Sequence, residues 1–455
     1  MPDRRIVVIG AGIAGLSAAL AARDSGAEVV VLECASVEER GGNTRFSNGA
    51  LRYVRTADES GGRALTREQF LEDMLKVTRG RTDRALAELM IDRSAETIHW
   101  LDQTHDVRPG TSPWNRGAAL SDSLFAAAER QGIEVRYDTR AASLLQDDGG
   151  VSGVVTSSGG ARKTVDADAV VVAAGGFEAN PEWRARYLGP RWDLVKVRGS
   201  RFNTGDGLRM AMQTGAMPFG HWSGCHSTNW DLNAPDQNNL ALNTVFKRDS
   251  FNHGIIVNTR GERFFDEGGD FGGLIYASLG PVILAQPGGI VWQIYDAQSS
   301  SLLLPEYHAD ASSKIVADTI PELAAKLLGI DEERFIATVR EFNDSVDTSM
   351  PFQKDVKDGR CTHGLTPPKS NWARAIIEPP FEAYPCTTGI TFTFGGVRID
   401  EGARVLDVDG RVIRGLYTAG EMVGGLFYYN YPGGAGLTSA AVFGRIAGCS
   451  AATDT

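Results

Sequence analysis

Four residues near the start of the chain have types and spacing that imply chemistry: Gly10, Gly12, Gly15 and Glu33. In a G-x-G-x-x-G turn the first glycine permits tight closure and the second lets the backbone approach a pyrophosphate. The third seats a helix on a strand so that its first N–H groups face phosphate oxygens. Glu33 follows at the end of a β-branched run, where a carboxylate can take both hydroxyls of an adenosine ribose. The same charge repels a 2′-phosphate, so an unphosphorylated ribose is expected. These residues alone leave the nucleotide open between NAD and FAD.

Other glycine-rich stretches narrow that choice. Arg40 to Ala50 is a loop of small polar residues in which Gly42, Asn43, Thr44, Ser47 and Gly49 are candidates to meet phosphate or a ring edge. The all-apolar run from Ala169 ends in Ala174, Gly175 and Gly176, as a parallel strand does when it delivers its end to a ligand. Near the other end of the chain a strand closes on Gly420 and Glu421, and Gly433, Gly434 and Gly436 precede Leu437 and a small-residue helix. A helix start of that kind offers N–H groups and a positive dipole end to an electron-rich ring. An NAD domain needs no such second contact hundreds of residues away, whereas the longer FAD does. Ala14, Ala141 and Asp206 complete the cofactor-facing candidates, with Asp206 divided between capping a helix and meeting a flavin.

The elements that must position these residues follow from periodicity. Residues 5–33 read as a βαβ unit, with the helix stopped at Gly26. Thr66 to Gln103 reads as amphipathic helices with Phe70, Met74 and Val77 in the core, Leu120 to Arg130 as a helix, and Ile133 to Tyr137 as a strand. Leu144 to Asp168 suggests an antiparallel ribbon turning at two Gly-Gly pairs, and Leu208 to Thr214 another helix. From about His221 to Pro385 the texture changes to aromatics and prolines, with strands at Ile255–Asn258 and Ile290–Ile294 and helices at Pro321–Leu328 and Glu332–Asp344. The expected fold is α/β: a Rossmann-like FAD-binding domain (1–220 and 387–455) interrupted by a smaller α+β domain (221–386), a capping domain by the family resemblance given below.

The chain has 455 residues, is 42% hydrophobic and carries a net charge of −11, which argues against nucleic acid or an anionic membrane as a partner. Its five cysteines form no CxxC pair, so disulfides and a zinc site are not expected. His253, His308 and His363 are scattered, and no metal is expected from them. No apolar run approaches ~18 residues, the least that spans a bilayer. A cytoplasmic location without membrane insertion is the expectation.

Gly10-Ala11-Gly12-Ile13-Ala14-Gly15, Gly41-Gly42-Asn43-Thr44, Ala173-Ala174-Gly175-Gly176-Phe177 and Thr418-Ala419-Gly420-Glu421 together resemble the FAD-dependent fumarate reductase/succinate dehydrogenase flavoprotein superfamily. Three stretches resemble its tricarballylate dehydrogenase branch: Trp222 to His226, Gly261 to Phe271, and Gly424 to Gly434. The resemblance implies hydride movement between flavin N5 and a carbon beside an activating carboxylate or carbonyl, with a second group moving the proton. The histidine that carries covalent FAD in some members would fall beside Asn43 and Thr44, where none stands, so non-covalent FAD is implied.

Departures from the fumarate reductases bear on mechanism. Phe271 stands at their proton-donating arginine, Tyr431 at their substrate-clamping arginine, and Thr391-Phe392 at their histidine pair. Fumarate reduction is therefore disfavoured, and an oxidative reaction is expected.

Removing hydrogen beside a carboxylate needs a base, an oxyanion partner and the flavin. His226 is the candidate base or orienter, against a structural role as a hydrogen-bonded histidine. Tyr428, Tyr429 and Tyr431 are candidates for base, oxyanion donor or aromatic wall. Arg52, Arg198, Arg201 and above all Arg248 are candidates to bind carboxylate, while Arg263 and Glu267 are expected to be a structural ion pair. The reading is an FAD-dependent dehydrogenase of a CH–CH bond next to a carboxylate or carbonyl, similar to tricarballylate dehydrogenase, passing electrons to an unidentified acceptor. The alternatives are a ketosteroid- or enoate-type dehydrogenase or reductase, and a non-catalytic FAD-binding protein.

Overall fold

The computed structural model describes residues 4–57, 64–111, 115–239, 245–277 and 279–454. In chain order its principal elements begin with β1 (Arg5–Ile9), α1 (Ile13–Asp24), β2 (Glu28–Leu32), α2 (Gly42–Phe46), α3 (Arg67–Val77), α4 (Arg84–His105) and α5 (Arg116–Arg130). There follow β3 (Glu134–Arg136), β4 (Arg140–Asp147), β5 (Gly150–Ser158), β6 (Ala161–Asp166), β7 (Ala169–Val172), β8 (Lys196–Val197), α6 (Asp206–Gln213) and β9 (Pro218–Asp231). Next come β10 (Ile255–Asn258), β11 (Val291–Tyr295), β12 (Ile315–Ala317), α7 (Ile320–Lys326) and α8 (Glu332–Ser345). The chain ends with β13 (Phe381–Val397), β14 (Arg404–Leu406), β15 (Val412–Thr418) and α9 (Ala435–Thr453). No helix among the described residues is long and apolar enough to cross a membrane.

The chain divides into two compact units: residues 1–193, 199–226 and 391–455 form the larger, and 194–198 with 227–390 the smaller. The smaller unit thus includes five residues around β8, Leu194–Arg198, besides its main stretch.

In the larger unit a six-stranded sheet runs in the order β14-β15-β7-β1-β2-β3. It is parallel from β15 to β3, and β14 closes one edge antiparallel. β1, β2 and β7 are Val/Ile-rich and nearly all buried, as strands covered on both faces must be. β4, β5 and β6 form the separate antiparallel sheet expected from the Gly-Gly turns.

Helices α1 and α9 are buried along most of their length and built of small residues, which allows their backbones to touch. A Cβ on Gly444 would lie 2.4 Å from the Ala14 carbonyl oxygen, and one on Gly448 2.1 Å from that of Ala18. The helical insertion forms with Phe70 and Met74 buried and Thr66 building a capping box with Gln69, while Val77, also expected in the core, is only partly buried.

Two local expectations fail. Residues 42–46, read as loop, make the short helix α2, because Gly41 in a left-handed conformation turns the chain into it. Asp206 is not a cap: Gly205 holds that position, and Asp206 is the first helical residue, paired with Arg140 on β4 and accepting from the Thr204 hydroxyl.

In the smaller unit β10, β11, β13 and β12 form an antiparallel sheet. α7 and α8 supply Leu323, Phe335, Val339 and Phe342 to a core shared with Ile255, Val257, Trp292, Ile294 and Phe381. The expected ion pair is present: Arg263 meets Glu267 at 2.5 Å, and Glu267 also accepts from the Ile256 N–H.

Candidate functional site

The turn after β1 carries out the steric roles of its glycines. Gly10 has φ +97°, and a Cβ on Gly15 would sit 1.9 Å from the Gly10 carbonyl oxygen, so only glycine lets α1 start this close to the strand. A Cβ on Gly12 would meet only ordinary contacts, 3.5 Å from Thr44 Oγ1 and 3.8 Å from the Gly41 carbonyl oxygen. Gly12 is the N-cap of α1 and has no side chain to cap it with.

Glu33 is buried at the end of β2, where it accepts from Ala11 N at 2.9 Å and Ala35 N at 2.8 Å. Burial raises its pKa, and those backbone bonds oppose the rise.

The loop after β2 behaves differently from expectation. Thr44 accepts the Ile13 N–H at 2.9 Å, bracing the start of α1. Asn43 donates to Glu178 at 2.7 Å and to the Thr391 carbonyl at 2.8 Å, and accepts from Ser200 N at 2.8 Å. Its amide is therefore committed within the protein, and the expectation that this side chain reaches phosphate or flavin is corrected to a bracing role. Ser47 bonds back to Thr44, and a Cβ on Gly49 would collide with Arg116. Ala141 is buried on β4 opposite Thr156, while Asp206 is held by its ion pair rather than aimed at a ring.

At the ends of β7 and β15 two carboxyls meet. Glu178 is fully buried and accepts from Asn43 and from Asn203, the latter at 2.6 Å; Glu421 accepts from Thr393 N at 2.7 Å and Thr393 Oγ1 at 3.1 Å. Glu178 Oε2 is buried with no hydrogen-bond partner among the described residues, and the two carboxyls influence each other electrostatically. Burial drives both pKa values up, Glu178 to about 7; Glu421 goes further because the Glu178 charge adds to burial. Both carboxyls therefore hold a proton more readily than free carboxylates do. Sequence reading marked Glu421 but missed Glu178, whose only signal was its place just after Gly175-Gly176-Phe177. A Cβ on Gly176 would lie 2.0 Å from Glu421 Oε1, so the glycine makes room for the pair.

An aromatic cluster lies by the start of α9. His226, 2% exposed, stacks on Phe392 at 5.4 Å and meets Tyr431 edge-on at 5.1 Å; Phe427 packs on both Phe392 and Tyr431. A Cβ on Gly436 would be 3.7 Å from the Tyr431 ring and 3.8 Å from Phe392, so the helix start, beginning after Gly434 and including Leu437, opens toward this cluster.

Tyr428 and Tyr429 gather instead around His221, which the sequence did not single out. Tyr428 stacks on it at 5.5 Å, and the Tyr429 N–H donates to its Nδ1 at 3.1 Å, which puts any imidazole proton on Nε2. Burial and nearby Arg81 lower the His221 pKa, keeping it neutral. No local signal in the sequence joins His221 to residues more than two hundred positions away.

The arginine candidates are corrected. Arg248 is fully buried in the smaller unit, 2.5 Å from Asp231, bonded to the Val245 and Lys247 carbonyls and lying over the Tyr307 ring. It neutralises a buried aspartate and is no substrate clamp. Arg52 pairs with Asp73, Arg201 makes a two-pronged bridge to Glu39 at 2.9 and 2.6 Å, and Arg198 lies over Trp230. His363 lies close to Asp347 and Cys361.

This combination of parallel sheet, glycine turn, ribose acid and second helix start defines a flavoprotein. The chain belongs to the FAD binding domain family, whose pattern matches residues 5–117 and 103–437. It is similar over 473 residues, at 32% identity, to a probable fumarate reductase of Shewanella frigidimarina, covering 98% of this chain and 74% of that protein. It is also similar to the 4-oxocyclohexanecarboxylate 2-dehydrogenase of Sinomonas cyclohexanicum, at 29% identity over 97% of this chain and 92% of the other. Among solved structures, the open conformation of a flavocytochrome c3 fumarate reductase aligns with a TM-score of 0.79 and 27% identity, covering 99% of this chain and 78% of that one. The protein is an FAD-dependent oxidoreductase acting on CH–CH groups.

Proposed function

We propose that the protein is a dehydrogenase that removes hydrogen from a CH–CH bond next to a carboxylate or carbonyl of a small molecule, in the manner of tricarballylate dehydrogenase. The observation that carries this reading is the packed trio of His226, Tyr431 and Phe392 beside the start of α9. Non-covalent FAD, when bound, supplies the hydride acceptor. Gly12, Glu33 and the start of α1 would hold its ADP half, and the start of α9 its ring. In this reading the Tyr431 hydroxyl would bond the substrate oxygen on which charge develops, and His226 would take the proton from the neighbouring carbon. Phe392 and Phe427 exclude water from both groups, which strengthens their interaction with that charge.

A second reading, a ketone substrate, draws on the same cluster. Its wall is aromatic, and each of the four candidate arginines is engaged with an acid or a ring. Anaerobic mixing of purified protein with tricarballylate, related acids and cyclic ketones, followed by loss of flavin absorbance, decides between them. Bleaching by acids alone supports the first reading and bleaching by ketones alone the second; a reducible flavin that no compound bleaches removes both. Flavin released into the supernatant on acid precipitation supports non-covalent attachment, and yellow colour left on the polypeptide refutes it.

A further inference from the structure

We propose that Asp347, Cys361 and His363, on the solvent face of the smaller unit, form a binding site for a zinc-type divalent cation. The site follows from strand register. Val346 and Thr362 are bridge partners, with Asp347 N donating to the Cys361 carbonyl at 2.8 Å and His363 N to that of Ser345 at 2.9 Å. In such a pair side chains alternate between faces. Val346 packs on the core around Phe335 and Phe342, and Thr362 is buried. Asp347, Cys361 and His363 therefore share the opposite face, with Asp347 directly across from Cys361 and diagonal to His363.

Their ligand atoms all lie within 4.8 Å of one another. The frame beneath them is held on both sides. His363 Nε2 is 3.0 Å from Asp347 Oδ2, Asp347 Oδ1 accepts from Ser349 N at 2.8 Å, and Thr362 exchanges backbone and hydroxyl bonds with Lys369 at 3.0 and 2.8 Å.

The donor set selects the metal. A thiolate, an imidazole and a carboxylate suit zinc and its borderline neighbours, whereas magnesium and calcium require oxygen ligands. Bonds of about 2.0–2.3 Å would draw the three atoms together by side-chain rotation, leaving a position for water. Binding releases the Cys361 thiol proton to solvent. It also closes the base of residues 348–360, a segment whose Gln353 and Val356 carbonyls hold the Trp372 indole.

The test uses full-length holoenzyme without a histidine tag, stripped with chelator and titrated with Co²⁺. One equivalent is expected to give visible d–d bands at wavelengths longer than those the flavin absorbs, displaced by Zn²⁺, and to protect 348–360 from proteolysis. The near-isosteric Cys361→Ser should lose the thiolate contribution to the spectrum. His363→Ala and Asp347→Asn should each weaken binding by more than about tenfold, the least expected even for an outer-shell partner. His308→Ala, an exposed histidine elsewhere in the unit, should bind as wild type. Absence of cobalt bands, wild-type binding by Cys361→Ser, or equal binding of Mg²⁺ would overturn the proposal.

Discussion

The nucleotide cradle and the aromatic cluster at the start of α9 lie in the same unit but are made of different material. The cradle is backbone: glycine turns, helix starts and one acid, each readable from a few consecutive residues. The cluster is side chain: His226, Phe392, Phe427 and Tyr431 arrive from three separate stretches and are joined only by packing. A backbone site tolerates no added atom, whereas a side-chain site tolerates substitution and changes its chemistry.

That contrast can be broken first at Gly15. Gly15→Ala places a methyl 1.9 Å from the Gly10 carbonyl oxygen, a backbone atom that cannot swing aside as a flexible side chain could. The expected result is loss of bound FAD, with destabilisation beyond the ~3 kcal/mol usual for overpacking, measured by flavin-to-protein ratio and thermal melting. A variant that keeps full flavin content would show that the turn does not set the cofactor site. His226→Ala comes next: kcat is expected to fall by about 10²–10⁴ with flavin content unchanged. Tyr431→Phe should follow at about 10² or more, with substrate binding largely kept. Rates near wild type in both would reduce the cluster to a wall.

The carboxyl pair gives a smaller, pH-dependent effect. Glu178 and Glu421 have folded pKa values raised above the unfolded carboxylate value, so the folded state binds the extra proton. Their contribution to stability is fully present below the unfolded value of 4.5 and is lost as pH rises through the folded value of about 7 for Glu178. Melting of flavin-free protein between those limits should show stability falling with pH from this pair, and Glu421→Gln should flatten the slope. An unchanged slope would mean that the pair does not hold its proton. Smallest is Arg201→Ala: it should cost less than about 1 kcal/mol, as exposed ion pairs do, and leave kcat unaltered.

What was legible in the sequence follows the same division. Gly10, Gly15 and Glu33 act through local backbone geometry, and a turn between two β-branched runs encodes that geometry completely. Arg263 and Glu267 were legible for a similar reason, being close in the chain. Glu178, His221 and the trio of Asp347, Cys361 and His363 were not, because each acquires its meaning from a partner across a strand or at the far end of the chain. Arg248 misled because an arginine's type states what it can bind and not whether an aspartate inside the core already holds it. The Asn43 amide misled similarly: its loop was placed well, but Glu178 and Ser200 claim its hydrogen bonds.

The contact between α1 and α9 has a metrical consequence. One helix begins at the turn that would receive the phosphates and the other at the turn that would receive the ring, with over four hundred residues of chain between them. With Gly444 locked against Ala14 and Gly448 against Ala18, neither helix can slide along its axis without its backbone striking the other's carbonyls. The pair acts as a fixed gauge: the spacing between the two turns is set by rigid rods rather than by loops, and a dinucleotide of one length is measured against it.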